Sequence, residues 1–134
     1  MITHITEQKM LKSAQEAMEK AYAPYSNFQV GCAILSDNDN LYTSGNVENS
    51  AYPEGSCAES GAISAMITGG DYHIKAILII SKVEKVITPC GGCLQKISEF
   101  AKPDTIIYLA NLQGIQAHHS LQDLLPQNFV LKHD

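Results

Sequence analysis

The stretch "IKAILIIS" at residues 74–81 limits the architecture more than any other part of this chain. A nearly unbroken apolar run suits a strand covered on both faces, because a half-exposed strand alternates apolar with polar positions. "TIIYLA" (105–110) reads as a second strand of the same kind. Strands with two covered faces need a helical layer on each side, and the segments around these two supply one.

Thr6 can cap a first helix, along which Leu11, Ala14, Met18 and Ala21 recur at three- and four-residue steps as one apolar stripe. Pro24, in "APYSN" (23–27), ends that helix by disfavouring helical geometry in the residue before it. "FQVGCAIL" (28–35) and "LYTSGNVE" (41–48) read as strands joined by the turn "SDNDN", a hairpin. "CAESGAISAMITGG" (57–70) is a short helix of small residues stopped by Gly69 and Gly70. "CGGCLQKISEFA" (90–101) is another, with Leu94, Ile97 and Phe100 or Ala101 along one side and Pro103 marking its end. "SLQDLLP" (120–126) gives a last helical turn. The order α-β-β-α-β-α-β predicts a layered α/β fold. With no repeat or linker, residues 1–134 read as a single domain.

The charge pattern narrows the partners. Fourteen Asp and Glu face nine basic residues, all of them lysine, for a formal net charge of −5. An acidic chain with no basic cluster is poorly suited to neutralising phosphates, so nucleic acid is not an expected partner. No apolar run approaches the ~20 residues of a membrane span. "MITHITEQKMLKSAQ" turns polar too soon for a signal peptide, which predicts a cytoplasmic protein with reduced thiols.

The cysteines then carry the chemistry. Cys32, between Gly31 and Ala33 in mid-strand, reads as a small core residue. Cys90 and Cys93 lie three apart at a helix start, with Cβ atoms about 5–6 Å apart on one face and Pro89 pre-setting the backbone. Such a pair serves either redox exchange or metal binding. A thioredoxin-like motif normally follows the first strand of its domain, and this one comes late. A structural zinc takes four protein ligands, yet His4, His73, His118, His119 and His133 show no matching spacing, and His118 and His119 read as a solvated loop. Cys57 opens a helix too, where the partial positive charge favours a thiolate. Three thiolates from two helix starts make a site with one open position, the mark of catalytic zinc. Glu59, two residues on, is turned ~200° from Cys57 in regular helix and so is no ligand beside it. In a first turn it can still reach a water held in the site, or simply answer the helix dipole.

"NVENSAYPEGSCAE" (46–59) followed by "PCGGCLQ" (89–95) resembles the small homotetrameric cytidine deaminases, with "APYSNFQVG" and "DLLPQNF" matching in the same order. The likeness runs from about residue 10 to 130. It implies a three-layer α/β/α fold around a mixed sheet of about five strands. It also implies one Zn²⁺ per subunit on Cys57, Cys90 and Cys93, with Glu59 as the proton shuttle of a hydrolytic deamination of cytidine and deoxycytidine. By the same likeness Asn46 and Glu48 bind the ribose hydroxyls, the Ala58 N–H holds the ring O2, the Thr88 carbonyl holds the amino group, and Phe28 contacts the pyrimidine. Phe129 would reach into a neighbouring subunit's site, giving a homotetramer with shared active sites. Other readings are a deaminase of another aminopyrimidine nucleoside such as blasticidin S, a zinc protein that binds nucleosides without turnover, and a redox protein using Cys90 and Cys93.

Two positions depart from the resemblance. Ser60 and Leu94 stand where arginine is usual, and the chain holds no arginine to replace them. Three thiolates and Zn²⁺ sum to −1, and arginine on the sulfurs would withdraw charge and restore Lewis acidity. Three outcomes follow: the helix N-termini, backbone N–H groups or Lys96 compensate, turnover is slower, or the chain prefers a different aminated ring, as the related blasticidin S deaminases do.

Overall fold

A computed structural model describes residues 2–131. Its centre is the strand the sequence marks most strongly. The first hairpin joins β1 (Val30–Ser36) to β2 (Leu41–Gly45), and the apolar run forms β3 (Ile74–Ser81). They are followed by β4 (Ala101–Asn111) and β5 (Gly114–Ser120). The five form one sheet in the order β2-β1-β3-β4-β5. β3 lies antiparallel to β1 and parallel to β4, so the sheet is mixed, as expected.

Helices cover both faces, for the reason the apolar strands require. On one side Ala76, Leu78 and Ile80 of β3 meet Met10, Ala14 and Met18 of α1 (His4–Glu19). On the other, Ile77 and Ile79 meet Ala62, Ile63 and Met66 of α2 (Ala58–Thr68), and Leu94 and Ile97 of α3 (Gly91–Phe100). Each fully buried isoleucine or leucine in these layers contributes about 1.5–3 kcal/mol. α1 lies close on the sheet because Gly31 and Gly45, cross-strand partners, offer no side chain beneath it. A Cβ on Gly31 would sit 2.0 Å from the Ala14 carbonyl oxygen.

Several expectations shift. Thr3, not Thr6, caps α1: its Oγ1 accepts from the Thr6 N–H at 3.2 Å. The buried stripe is Met10–Ala14–Met18, leaving Leu11 and Ala21 only half-buried. α1 stops at Glu19, short of Pro24, since the Tyr22 N–H turns to the Asn46 carbonyl across the sheet edge. Pro103 does not follow the end of α3 but lies inside β4, where the pairing with β3 slips and a missing N–H costs no ladder bond. His118 and His119 are not in a loop. They belong to β5, an edge strand whose Ile115, Ala117 and His119 are half-buried, a pattern too polar to stand out in the sequence. α4 (Leu121–Leu124) is the expected last turn, capped by Ser120. Among the described residues no helix is long and apolar enough to cross a membrane.

Candidate metal centre and active site

The site forms where two helices begin on the same face of the sheet. Cys57 is the N-cap of α2 and Cys90 the N-cap of α3; Cys93 follows one turn into α3. Pro89 therefore precedes the cap rather than opening the helix. Their three sulfurs lie within 4.8 Å of one another. Two sulfurs bound at ~2.3 Å to one tetrahedral zinc stand about 3.8 Å apart, so the cluster fits that ion. All four cysteines are free thiols, and Cys32 is a fully buried core residue, as read from the sequence. A redox pair has no use for the third sulfur.

Electrostatics separates the ligands. The Cys90 thiol is lowered, first by the backbone N–H of Cys93 and also by that of Gly92, both pointing out of the helix start. Cys93 is almost fully buried and its thiol is pushed up, first by burial and then by the negative groups around it, Glu59, Cys57 and Cys90. A cation among these groups would reverse that penalty. Glu59 is 5 % exposed, and burial raises its carboxyl above the ordinary carboxylate range. Its own backbone N–H, the neighbouring Cys93 thiol and the charge of Lys96 pull the other way. A buried first-turn glutamate beside three sulfurs is more than an answer to the helix dipole, which would act as well on an exposed side chain.

The two remaining polar candidates both bond to the segment 25–30. β2 ends at Gly45, before Asn46 and Glu48, which continue in extended conformation between Tyr22 and Ser56. The Val47–Ser56 ladder (2.8 and 2.9 Å) sets this segment directly beside the residue before Cys57. The Asn46 Oδ1 accepts from the Val30 N–H at 2.8 Å, and its Nδ2 donates to the Phe28 carbonyl at 2.9 Å. The Glu48 Oε1 accepts from the N–H groups of Tyr25 (2.9 Å) and Ser26 (3.2 Å), and its Oε2 from the Ser26 hydroxyl. These bonds, that of the Ser26 hydroxyl foremost, hold the Glu48 carboxyl below its ordinary value. Glu48 lines a cleft of about 320 Å³ with Tyr25, Ser26, Asn49, Tyr52 and Gly55. The Tyr25 and Tyr52 rings meet edge to face at 6.1 Å across it. Larger clefts lie between α1 and β2, with Asn46 among the lining residues, and beside Tyr108; neither they nor the Glu48 cleft is lined by the cysteines or Glu59.

Ala58 is buried at the first position of α2, and Thr88 is exposed two residues before Cys90. Phe28 is partly exposed, and Phe129 is 70 % exposed, its carbonyl held by the Gln95 side chain of α3 at 3.0 Å. Among the histidines, His133 lies outside the described residues. Tyr25, Ser26 and Tyr52 were not singled out from the sequence. A serine two residues before Phe28 in a turn is the available signal, because its hydroxyl can bond the backbone locally.

Residues 4–110 match the cytidine and deoxycytidylate deaminase zinc-binding region. The chain is 37% identical over 122 residues to a cytidine deaminase of Sporosarcina psychrophila, covering 91% of this chain and 90% of that one. It is also 37% identical over 123 residues to a cytidine deaminase of Halalkalibacterium halodurans, covering 92% and 93%. The crystal structure of cytidine deaminase from Burkholderia pseudomallei superposes with a TM-score of 0.86 at 37% identity, over 95% of this chain and 99% of that one.

Proposed function

This chain belongs to the cytidine and deoxycytidylate deaminases, and from that premise we propose that it is a zinc-dependent hydrolase. It converts cytidine and deoxycytidine to uridine and deoxyuridine with release of ammonia. The observation that carries this reading is the meeting of Cys57, Cys90 and Cys93 within 4.8 Å beside a buried Glu59. Those three sulfurs would hold the zinc, one ion per subunit. When bound, a tri-thiolate zinc supplies a Lewis acid that lowers the pKa of a water in its open position.

Glu59 moves the protons. It takes one from the attacking water and delivers it to N3 of the ring while C4 gains the oxygen. It then takes the remaining hydroxyl proton and hands it to the amino group, which leaves as ammonia as the C4 carbonyl forms. Its burial suits this part, because raising the carboxyl pKa makes the group a better proton acceptor than an exposed carboxylate and moves it toward the range a two-way proton carrier needs. The Ala58 N–H holds the ring O2, the Thr88 carbonyl receives the amino group, and Phe28 lies against the pyrimidine.

Asn46 and Glu48 receive the sugar. Protein donors fill three of the roughly four acceptor positions of Glu48, and Asn46 keeps one amide hydrogen. One acceptor and one donor together suit a hydroxyl that gives a hydrogen bond to Glu48 and takes one from Asn46.

The exposed residues Cys57 and Cys90, and a largely exposed Phe129-Val130-Leu131 run, favour a homotetramer in which Phe129 covers a neighbour's site. A single domain over residues 1–134, a cytoplasmic location suited to free thiols, and a place in pyrimidine salvage complete the reading. Nucleic acid has no part in it. The test is ammonia release from cytidine together with zinc per chain and size by light scattering. Stoichiometric zinc without ammonia from cytidine or deoxycytidine refutes the activity.

A further inference from the structure

The segment before β1 carries a hydroxyl with two bonds that the proposed chemistry does not use. Ser26 Oγ donates to Glu48 Oε2 and accepts the Phe28 N–H at 3.0 Å. Between them Asn27 adopts φ 58, in the left-handed region. Asparagine tolerates that conformation, which folds the chain so that the Phe28 amide points back at Ser26. On its other side the Phe28 carbonyl is held by Asn46. Residue 28 is thus tied at both ends, by its N–H through Ser26 to Glu48 and by its carbonyl to Asn46. The two side chains expected to meet the sugar also fix the backbone expected to meet the ring.

We propose that Ser26 is a positioning residue: its hydroxyl orients the Glu48 carboxylate, and so sets the affinity for the sugar end of the nucleoside. The inference rests on the nucleoside-deaminase reading and adds to it the residue that aims the sugar contact. Without Ser26 Oγ, the Glu48 Oε1 keeps its two backbone donors and Asn46 still holds the Phe28 carbonyl, but Oε2 is free to swing. Ser26 touches neither the cysteines nor Glu59 in any bond of the structure, so its loss weakens capture of substrate rather than the chemical step.

The experiment compares Ser26→Ala, Ser26→Thr and wild type on cytidine and on 2′,3′-dideoxycytidine, which lacks the 2′ and 3′ hydroxyls and keeps only the 5′ one. For Ser26→Ala the KM for cytidine rises about tenfold while kcat changes far less, the signature of a lost binding interaction. The KM for the dideoxynucleoside changes little, and Ser26→Thr, which keeps the hydroxyl, restores most of the affinity for cytidine. In a Glu48→Ala background, adding Ser26→Ala costs little more, because a residue acting through Glu48 has nothing left to orient. An unchanged KM for cytidine, equal losses on both nucleosides, or additive effects of the two substitutions would overturn the proposal. Wild-type protein that neither deaminates cytidine nor binds uridine by calorimetry refutes the nucleoside reading itself, and the role of Ser26 with it.

Discussion

Two polar centres sit at opposite ends of α2, and they are built on opposite principles. Past its C-terminus, Asp71 is nearly buried and accepts hydrogen bonds from the side chains of Ser36, Asn38, Asn40 and Tyr42 at 2.6–2.9 Å. Asn40 leads the donors that hold its carboxyl well below the usual range. At the N-terminus, Glu59 and Cys93 are buried with too little compensation, and both are raised, first by burial. One centre is saturated by the protein and ties the β1–β2 turn to the chain entering β3. The other is a concentration of acidic groups that only an added cation can balance. A buried acid with a full set of donors reads as structure, and one left short of partners reads as function.

Removing a sulfur breaks the unsatisfied centre outright. Cys93→Ala is expected to lower zinc from one per chain to near zero and abolish ammonia release, checked by metal analysis and assay. Next in size is Glu59→Gln, which keeps shape and zinc but cannot carry a proton. Turnover should fall by at least about 10²–10⁴-fold, and a fall accompanied by loss of zinc would mean that Glu59 supports the metal instead.

The saturated centre is expected to respond in stability and not in rate. Asp71→Asn sets an amide N–H₂ against at least one of four donors, so the melting temperature at pH 7 should drop by several degrees while turnover of the folded protein persists. Because the folded pKa of Asp71 is depressed, its stabilisation is complete above about pH 4 and is lost as pH falls through the folded value. The melting-temperature gap between wild type and Asp71→Asn should therefore narrow below about pH 4. A constant gap would contradict the assignment. The smallest effect sharpens the contrast from the other side. Ser60→Arg places a cation one residue from Glu59, whose carboxyl already feels the charge of Lys96, and kcat should rise severalfold; an unchanged or lower rate with zinc bound would show that charge is not limiting.

Much of this was legible before any fold was known. β3 matched the apolar run residue for residue, and both helix starts fell on their cysteines. Where reading slipped, tertiary partners had intervened. Tyr22 bonds across the sheet edge and closes α1 early, Pro103 is tolerated at a slipped register, and β5 draws its bonds from β4 despite a polar sequence. The hub at Asp71 went unseen, because nothing local marks one aspartate as the common acceptor for four side chains 29–35 residues away.

The sequence by itself determined the reagents: a thiol pair three apart at a helix start, a third thiol two residues from a carboxylate, and the apolar strands that force a layered core. These rest on contacts within one helical turn or one strand, where spacing along the chain is spacing in space. Only the tertiary structure decided that Cys57 meets Cys90 and Cys93, that Glu59 is shut away from water, and that Asn46 and Glu48 both clasp the Phe28 segment. Those outcomes depend on how α2 and α3 pack against the same face of the sheet, and that packing is settled by the whole core at once.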